Sequence, residues 1–298
     1  MGLPPYPKKT KQQAGIIKDR LNIASKGRDY ESMKKENRPM LWRYLFFTFA
    51  IAWGTEFFVI AVYRFQLLRG NTATVLHYML IGFGAGMAPL YGAFIAQRKE
   101  NGVTFKTFCK GIFYTANLSK TIALLLLFAL IQLAACAIQE DYLGYPWYLF
   151  ILFVPVMILG GGLEEVGWRG VLQPLLEERL PFFAAALIEG LLWSVWHLPL
   201  WLVPNASQGN MNFAAFALYC ITFGLNLAVL YRLTKSVWAA VLLHAWGNTI
   251  LGGMFSLTSL CNFPQAKTLL VYGIEIAVMA LILFFLKNGI NHNSNKRM

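Results

Sequence analysis

Long apolar runs separated by short polar connections make up most of the chain from residue 41 onward. A helix that crosses a bilayer needs roughly 20 consecutive and mostly apolar residues. The runs predict eight such helices, at residues 41–62, 76–97, 121–138, 147–168, 182–203, 211–232, 236–256 and 268–287. We therefore expect an all-α polytopic membrane protein with about eight transmembrane helices.

The segments between and around these runs suggest how the chain is divided. The first forty residues are polar and basic, and they lack the short apolar core of a secretory signal peptide. Phenylalanines alternate with lysines near 98–120, which is typical of a helix lying on a membrane surface. The expected parts are a basic cytoplasmic arm at 1–40, accessory helices at 41–144, a core at 145–256, and the last helix with a basic tail at 257–298.

Composition and charge support a membrane protein and exclude nucleic acid as a partner. Hydrophobic residues make up 57% of the chain and charged residues only 13%, a balance that soluble domains rarely show. The net charge is +12, but ten of the 26 Lys and Arg residues precede Leu41, and the others fall mainly in alternate connections. Cytoplasmic loops carry such an excess of positive charge, so we expect both termini in the cytoplasm. The four cysteines have no metal-binding or redox spacing.

Charged side chains interrupt the fourth apolar run, where a bilayer makes them costly. Glu164 and Glu165 are adjacent, so on a helix they point about 100° apart and cannot address the same spot. Glu165 lies four residues before Arg169, which is the favourable orientation for an ion pair. We interpret Glu165 and Arg169 as a supporting pair and Glu164 as the carboxylate available for chemistry.

Three ionisable groups can meet at one depth if the helices are paired as antiparallel hairpins. If the fourth helix continues to Leu180 and a new one starts at Pro181, then Glu164 and His197 are equally far from the turn, ~24 Å. Proline favours the first turn of a helix, which supports this starting point. His244, on the seventh run, reaches the same level when the tip of the first hairpin extends beyond the second.

Other polar residues in the runs have simpler interpretations. Glu56, Glu189 and Glu275 are isolated, and we interpret them as hydrogen-bond partners between helices. Glu189 has the best case for a direct role, because it shares a helix face with His197, eight residues later. The glycines at 160–162 favour close helix packing over space for a substrate.

Three ordered motifs resemble those of the CPBP family of intramembrane proteases, also called the Abi family, which includes the type II CAAX prenyl proteases. The resemblance covers residues 145–255. Its motifs in this sequence are Glu164-Glu165-x-x-x-Arg169, Trp193-x-x-x-His197 and His244-x-x-x-Asn248. Many family members have Phe where Trp193 stands here.

The resemblance implies peptide-bond hydrolysis inside the membrane, in a cavity open to the cytosol. Glu164 and His197 would activate the attacking water, while His244 and Asn248 would stabilise the oxyanion, and the ion pair would support the site. The implied partners are the bilayer and a membrane-associated or lipidated peptide or protein. A prenylated C-terminal peptide, the leader of a secreted peptide and a membrane-protein segment all remain open as substrates.

A zinc site is the alternative mechanism. Glu164, His197 and His244 would suit a catalytic zinc with one open position. However, using Glu164 as a ligand leaves no obvious base, and the HExxH spacing of many metalloproteases is absent. We favour a mechanism without a cofactor.

Two functions other than proteolysis remain open. A non-catalytic protein of the bacteriocin-immunity or scaffold type would use the same residues for structure alone. A proton-coupled transporter would use Glu164 and Glu189 as carriers, although no internal repeat of the kind that transporters show is apparent.

Overall fold

The computed structural model of the protein describes residues 38–204, 206–262 and 265–295, with side chains as far as residue 285. Throughout these ranges the regular elements are helical, and no strand occurs in them. Most of the predicted basic arm, 1–40, lies outside the described residues, and its last three positions begin the first helix. The all-α expectation is confirmed.

Twelve helices can be numbered along the described chain. In order they are α1 Arg38–Arg64, α2 Gly70–Met79, α3 Ala88–Asn101, α4 Phe105–Ile112, α5 Leu118–Gln139, α6 Trp147–Leu159, α7 (Glu165–Gly167, Trp168–Leu172 and Gln173–Glu177 in succession), α8 Phe182–Trp196, α9 Phe213–Thr234, α10 Val237–Thr249, α11 Leu257–Leu260 and α12 Ala266–Asn295. Two π turns extend α2 and α10, namely Leu80–Ala85 and Ile250–Met254. Three short 3₁₀ turns are Gly162–Glu164, Leu198–Trp201 and Ser207–Asn210.

Seven helical segments in the described part of the chain are long and apolar enough to cross a membrane. They are Arg38–Arg64, Gly70–Asn101, Leu118–Gln139, Trp147–Glu177, Phe182–Trp201, Phe213–Thr234 and Ala266–Phe285. The remaining predicted span, 236–256, corresponds to α10 and its π turn, about 27 Å long at ~1.5 Å per residue. The protein is an integral, multi-pass membrane protein.

The connection predicted at 98–120 has a more detailed structure than one surface helix. α3 continues to Asn101, the short helix α4 follows, and α5 begins at Leu118. Phe108 of α4 is buried against Phe94, with 5.2 Å between ring centroids, while Phe105 points outward. The location of α4 at a membrane surface stays a prediction.

The fourth span is discontinuous, which corrects the expectation of one continuous helix as far as Leu180. Helical structure continues to Glu177, but α6 ends at Leu159 and the backbone reverses its local handedness at Gly161, where φ is +139°. Only glycine adopts this conformation without strain. The expected new start is confirmed, because Pro181 immediately precedes the first residue of α8.

Helix α9 lies at the centre of the bundle. In its most apolar stretch, 72% of the sequence is buried inside the protein, compared with 28% in the corresponding stretches of α1, α5 and α12. The outer helices instead expose large apolar side chains such as Phe57, Leu130 and Phe284. Exposed apolar surface of this extent suits contact with lipid rather than water.

Helices α8 and α9 cross so closely that one position has no room for a side chain. A methyl group added to Gly190 would lie 2.7 Å from Ile221 Cα and 3.2 Å from Cys220 O. Both obstructing atoms belong to the backbone, so neither can rotate away. Close helix contacts at small residues are a main source of packing energy inside membranes.

Replacing Gly190 with Ala should therefore force α8 and α9 apart and lower the free energy of unfolding by about 1–3 kcal/mol. The measurement is chemical unfolding of the purified protein in detergent micelles. Gly111→Ala is the matched control, because nothing lies within 4 Å of the added methyl group there. Equal stability of the two variants would contradict the packing described here.

Candidate active site

A cavity of about 590 Å³ is lined by residues of α1, α6, α8, α9 and α10 and of the 3₁₀ turn Gly162–Glu164. Its walls are mostly apolar, and they include one acid, two imidazoles and one amide from the fourth, fifth and seventh predicted spans. These are the four residues that the sequence singled out for catalysis: Glu164, His197, His244 and Asn248. The cavity therefore has the polar groups, the volume and the burial of a ligand site.

Three of these groups converge beside Gly161. A methyl group built there would overlap Asn248 Nδ2 and lie 3.2 Å from His244 Nε2 and 3.5 Å from Glu164 Oε1. Three polar atoms from α10 and the 3₁₀ turn before α7 thus surround one small space. The sequence attributed the glycines at 160–162 mainly to packing, whereas Gly161 keeps the centre of the cavity free of a side chain.

The Glu164 carboxyl group has a fixed orientation. Its side chain is only 5% exposed, and Oε2 accepts a hydrogen bond of 2.9 Å from the indole Nε1–H of Trp193. The other oxygen, Oε1, is the one near Gly161. Trp193 therefore holds one carboxyl oxygen while the second faces the polar groups of the cavity.

Glu165 points away from the cavity and joins two helices. Its Oε2 forms an ion pair of 2.8 Å with Arg169 Nη1, and its Oε1 accepts a hydrogen bond of 2.7 Å from His244 Nδ1. All three side chains are at least 98% buried. The ion pair predicted from the spacing is present, and its carboxylate also sets the orientation of His244.

Arg169 extends this network to α8 and α9. Its Nη2 donates a hydrogen bond of 2.8 Å to the Gly224 carbonyl of α9, and its Nε lies 3.7 Å from Glu189 Oε1 of α8. Glu189 therefore belongs to the ionic network behind the site and does not line the cavity. Among the three isolated acids, Glu189 had the strongest case for a direct functional role, and this geometry does not support that role.

His197 comes directly after α8, which ends at Trp196 instead of continuing to residue 203 as predicted. Pro199 lacks a backbone N–H and so disfavours further α-helix, and a 3₁₀ turn follows. The ring Nδ1 lies 2.9 Å from the Trp193 carbonyl oxygen. Because a carbonyl only accepts, Nδ1 carries a hydrogen, and when the ring is neutral Nε2 presents its lone pair.

Asn248 connects α10 to the interruption in the fourth span. Its Nδ2 donates a hydrogen bond of 3.0 Å to the Gly160 carbonyl. An amide nitrogen carries two hydrogens, so a second donor remains. The break after α6 is what leaves this carbonyl free to accept from a neighbouring helix.

Trp193 contacts both imidazoles. Its ring centroid lies 5.7 Å from that of His197 and 5.2 Å from that of His244, each in an edge-to-face arrangement. The same indole binds Glu164, so one aromatic ring fixes the relative positions of an acid and two bases. The sequence identified Trp193 only as part of a motif.

Sequence reasoning missed one ionisable group of the cavity. Glu56 of α1 lines the same cavity as Glu164, although its sequence neighbours give no indication of this. Long-range helix packing decides this placement, and a local pattern does not encode it. The interpretation of Glu275 as a hydrogen-bond partner between helices is confirmed, because Asn226 of α9 donates to Glu275 Oε1 of α12 over 3.3 Å.

Comparison with known proteins supports the assignment made from the motifs. Residues 146–250 match the family model described as type II CAAX prenyl endopeptidase Rce1-like. The resemblance to the CPBP family is confirmed. The matched region begins just before α6 and ends where α10 passes into its π turn, so it contains all four cavity residues predicted from the sequence.

Two curated relatives align with about 45% of the chain. CAAX prenyl protease 2 of Methanococcus maripaludis is 31% identical over 145 residues, which cover 44% of this chain and 54% of the relative. Lysostaphin resistance protein A of Staphylococcus haemolyticus is 30% identical over 145 residues, covering 45% of this chain and 38% of the relative. The chain thus spans about half the length of the first relative and less of the second.

The buried contacts of Glu165 predict that its removal destabilises the protein. Glu165→Ala leaves Arg169 and His244 without their shared carboxylate, so we expect the free energy of unfolding to fall by about 3–5 kcal/mol. The double variant Glu165→Ala, Arg169→Met removes the unpaired cation as well and should recover part of this loss. Denaturant titration in detergent measures the double variant and the two single variants, Glu165→Ala and Arg169→Met. A double variant that loses the sum of the two single effects would argue against the pairing.

Proposed function

We propose that the protein is an intramembrane endopeptidase that hydrolyses a peptide bond of a membrane-associated or lipidated peptide or protein. The observation that carries this proposal is the convergence of Glu164 Oε1, His244 Nε2 and Asn248 Nδ2 around the space beside Gly161. A carboxylate, an imidazole and an amide donor that line one cavity are groups that can catalyse amide hydrolysis. The family match over residues 146–250 supports the same reaction class.

In the proposed reaction, Glu164 is the general base. Its Oε1 takes a proton from a water molecule as the water oxygen attacks the carbonyl carbon of the scissile bond. The neutral His197 ring offers Nε2 as a second acceptor for that water. When the tetrahedral intermediate collapses, the proton held by Glu164 passes to the leaving nitrogen, which gives a free amine and a carboxylic acid and restores the Glu164 carboxylate; the product acid then loses its proton to solvent or to the amine.

The developing oxyanion would be stabilised from α10. Asn248 can donate its second N–H while the first stays on the Gly160 carbonyl. His244 can donate through Nε2 only when both ring nitrogens carry hydrogens, because Nδ1 already bonds to Glu165. The carboxylate of Glu165 offsets the positive charge of such a ring. The supporting role of Glu165 and Arg169 is thus to hold and charge-balance His244.

The residues present do not fit a zinc site in their described arrangement. The chemistry of the donors is suitable, since both imidazoles present Nε2 while Nδ1 bonds to an oxygen acceptor. The positions of these donors are not suitable, because the described residues include no group of three His, Cys, Asp or Glu placed to hold a metal ion. We therefore route no step through a metal.

The substrate class follows from the site and from one relative. The archaeal relative is named as a CAAX prenyl protease, and the aligned region covers 54% of it. A cavity reached within a membrane bundle suits a peptide that a lipid anchor or an apolar segment keeps at the bilayer. Because the Lys and Arg residues are concentrated before Leu41 and in alternate connections, we also propose that both termini face the cytoplasm.

A transporter or a purely structural role has less support. Glu164 and Glu189, the two carriers of the transporter alternative, belong to different environments, since only Glu164 lines the cavity. A non-catalytic protein would not need the oriented acid and imidazoles that surround an open space here. The staphylococcal relative's name describes a resistance and states no reaction.

Glu164→Gln tests the proposed function directly. Glutamine keeps an oxygen that can accept from Trp193, but it cannot take a proton from water, so we expect hydrolysis to fall by roughly 10²- to 10⁴-fold. The readout is the membrane peptide content of cells producing either form, followed by cleavage of an identified peptide by purified protein. Glu275→Gln is the control, because it alters a buried carboxylate outside the cavity. Unchanged cleavage by Glu164→Gln would refute the proposal.

Metal removal tests the choice of mechanism. We expect purified protein to keep its full activity after exhaustive chelation and to contain no stoichiometric zinc by elemental analysis. The physical reason is that Glu164 acts as a base and not as a ligand. Activity that disappears on chelation and returns on addition of zinc would establish the alternative site of Glu164, His197 and His244.

A further inference from the structure

A second carboxylate faces the cavity from outside the family region. Glu56 lies on α1, is only 2% exposed, and lines the same cavity as Glu164. Its Oε2 is buried without a hydrogen-bond partner, and no ion pair to it occurs within the described residues. An unpaired carboxyl group inside a membrane bundle is costly, so such a residue normally serves a function.

The position of Glu56 is fixed by its helix. Trp53, three residues earlier and on the same face of α1, donates a hydrogen bond of 3.1 Å from Nε1 to the Trp196 carbonyl. That carbonyl belongs to the residue immediately before His197. One residue before Glu56, Thr55 packs tightly against Gly84, where an added methyl group would lie 2.7 Å from Thr55 Cγ2. α1 is thus held against the end of α8 and against α2.

The charges that line the cavity are unbalanced. Its ionisable residues are two acids, Glu56 and Glu164, and two histidines, whereas no Lys or Arg is among the described lining residues. The carboxyl groups of Glu56 and Glu164 line the same cavity. Carboxylates that share a site of low dielectric repel one another, and a nearby cation relieves this repulsion. The lining residues that the structure describes supply no such cation.

We propose that Glu56 binds a cationic group of the substrate, a Lys or Arg side chain close to the bond that is cleaved. This inference rests on the proposed function and adds a substrate class to it: membrane-anchored peptides with a basic residue near the scissile bond. A free C-terminal carboxylate would find no Lys or Arg to pair with among the described lining residues. Glu56 is therefore a specificity-determining residue, and Glu164 keeps the chemistry.

The first experiment measures binding, so that it does not depend on hydrolysis. The probes are fluorescent, lipid-anchored peptides in which a single Lys is moved through successive positions, each with a matched Gln peptide. They are titrated against full-length Glu164→Gln protein in lipid nanodiscs, with and without Glu56→Gln. A charge-assisted hydrogen bond should give at least one Lys peptide an affinity about 10- to 100-fold above its Gln partner. Glu56→Gln should remove this preference and leave the Gln peptide's affinity nearly unchanged.

The second experiment measures cleavage of the same pairs by protein with an intact Glu164. The ratio of kcat/KM between the preferred Lys peptide and its Gln partner should fall towards one in Glu56→Gln. It should be unaffected in Glu275→Gln, which removes a buried carboxylate from outside the cavity. If binding shows the Lys preference but no peptide is cleaved, the proposed function fails while the binding role of Glu56 stands.

Two results would overturn the inference. One is equal affinity for every Lys and Gln pair, which would leave Glu56 without a cationic ligand. The other is a Glu56→Gln variant that weakens the Lys and Gln peptides by the same factor. Glu56 would then act on cavity structure or on Glu164 and not on the charge of the substrate.

Discussion

The ionic contacts of Glu165 and Arg169 hold the core of this membrane protein together. Both groups are almost completely buried, and charges in such a place are tolerated only when they are paired. Glu165 binds His244 of α10, while Arg169 reaches the Gly224 carbonyl of α9 and approaches Glu189 of α8. One ion pair on α7 thus joins four helices. Because Glu164 immediately precedes Glu165 along the backbone, its direction is set as soon as Glu165 is placed.

The second constraint is the interruption between α6 and α7. A continuous helix would use the Gly160 carbonyl within its own hydrogen-bond ladder and would carry a side chain at position 161. Here the carbonyl accepts from Asn248, and the glycine conformation leaves the space around which the acid, the imidazole and the amide converge. Non-helical backbone at membrane depth is tolerated where it is buried or borders a cavity. The break therefore has both a structural partner and a clear consequence for the site.

Local rules predicted the features that depend on neighbours in sequence. The Glu165–Arg169 pair follows from a spacing of four, and the start of α8 follows from Pro181, because both effects act within a helical turn or two. The break at Gly161 was missed, since glycines also favour close packing of regular helices. The cavity position of Glu56 was missed for another reason. It depends on how distant helices pack, and hydropathy does not record which face meets which neighbour.

The cavity is lined by two parts of the chain, which separates the groups of the proposed chemistry from most of the surface that a ligand would contact. The catalytic candidates all lie within residues 146–250, the region that matches the family model. Much of the remaining wall comes from outside it, including Glu56 and Ile81 before the region and Leu257 after it. Reaction chemistry requires fixed distances among a few groups, whereas substrate selection depends on the surfaces that those groups share with a ligand. Under the proposed function, relatives that keep the first set and differ in the second would hydrolyse different peptides, and the helices without a family motif would carry the substrate specificity of this protein.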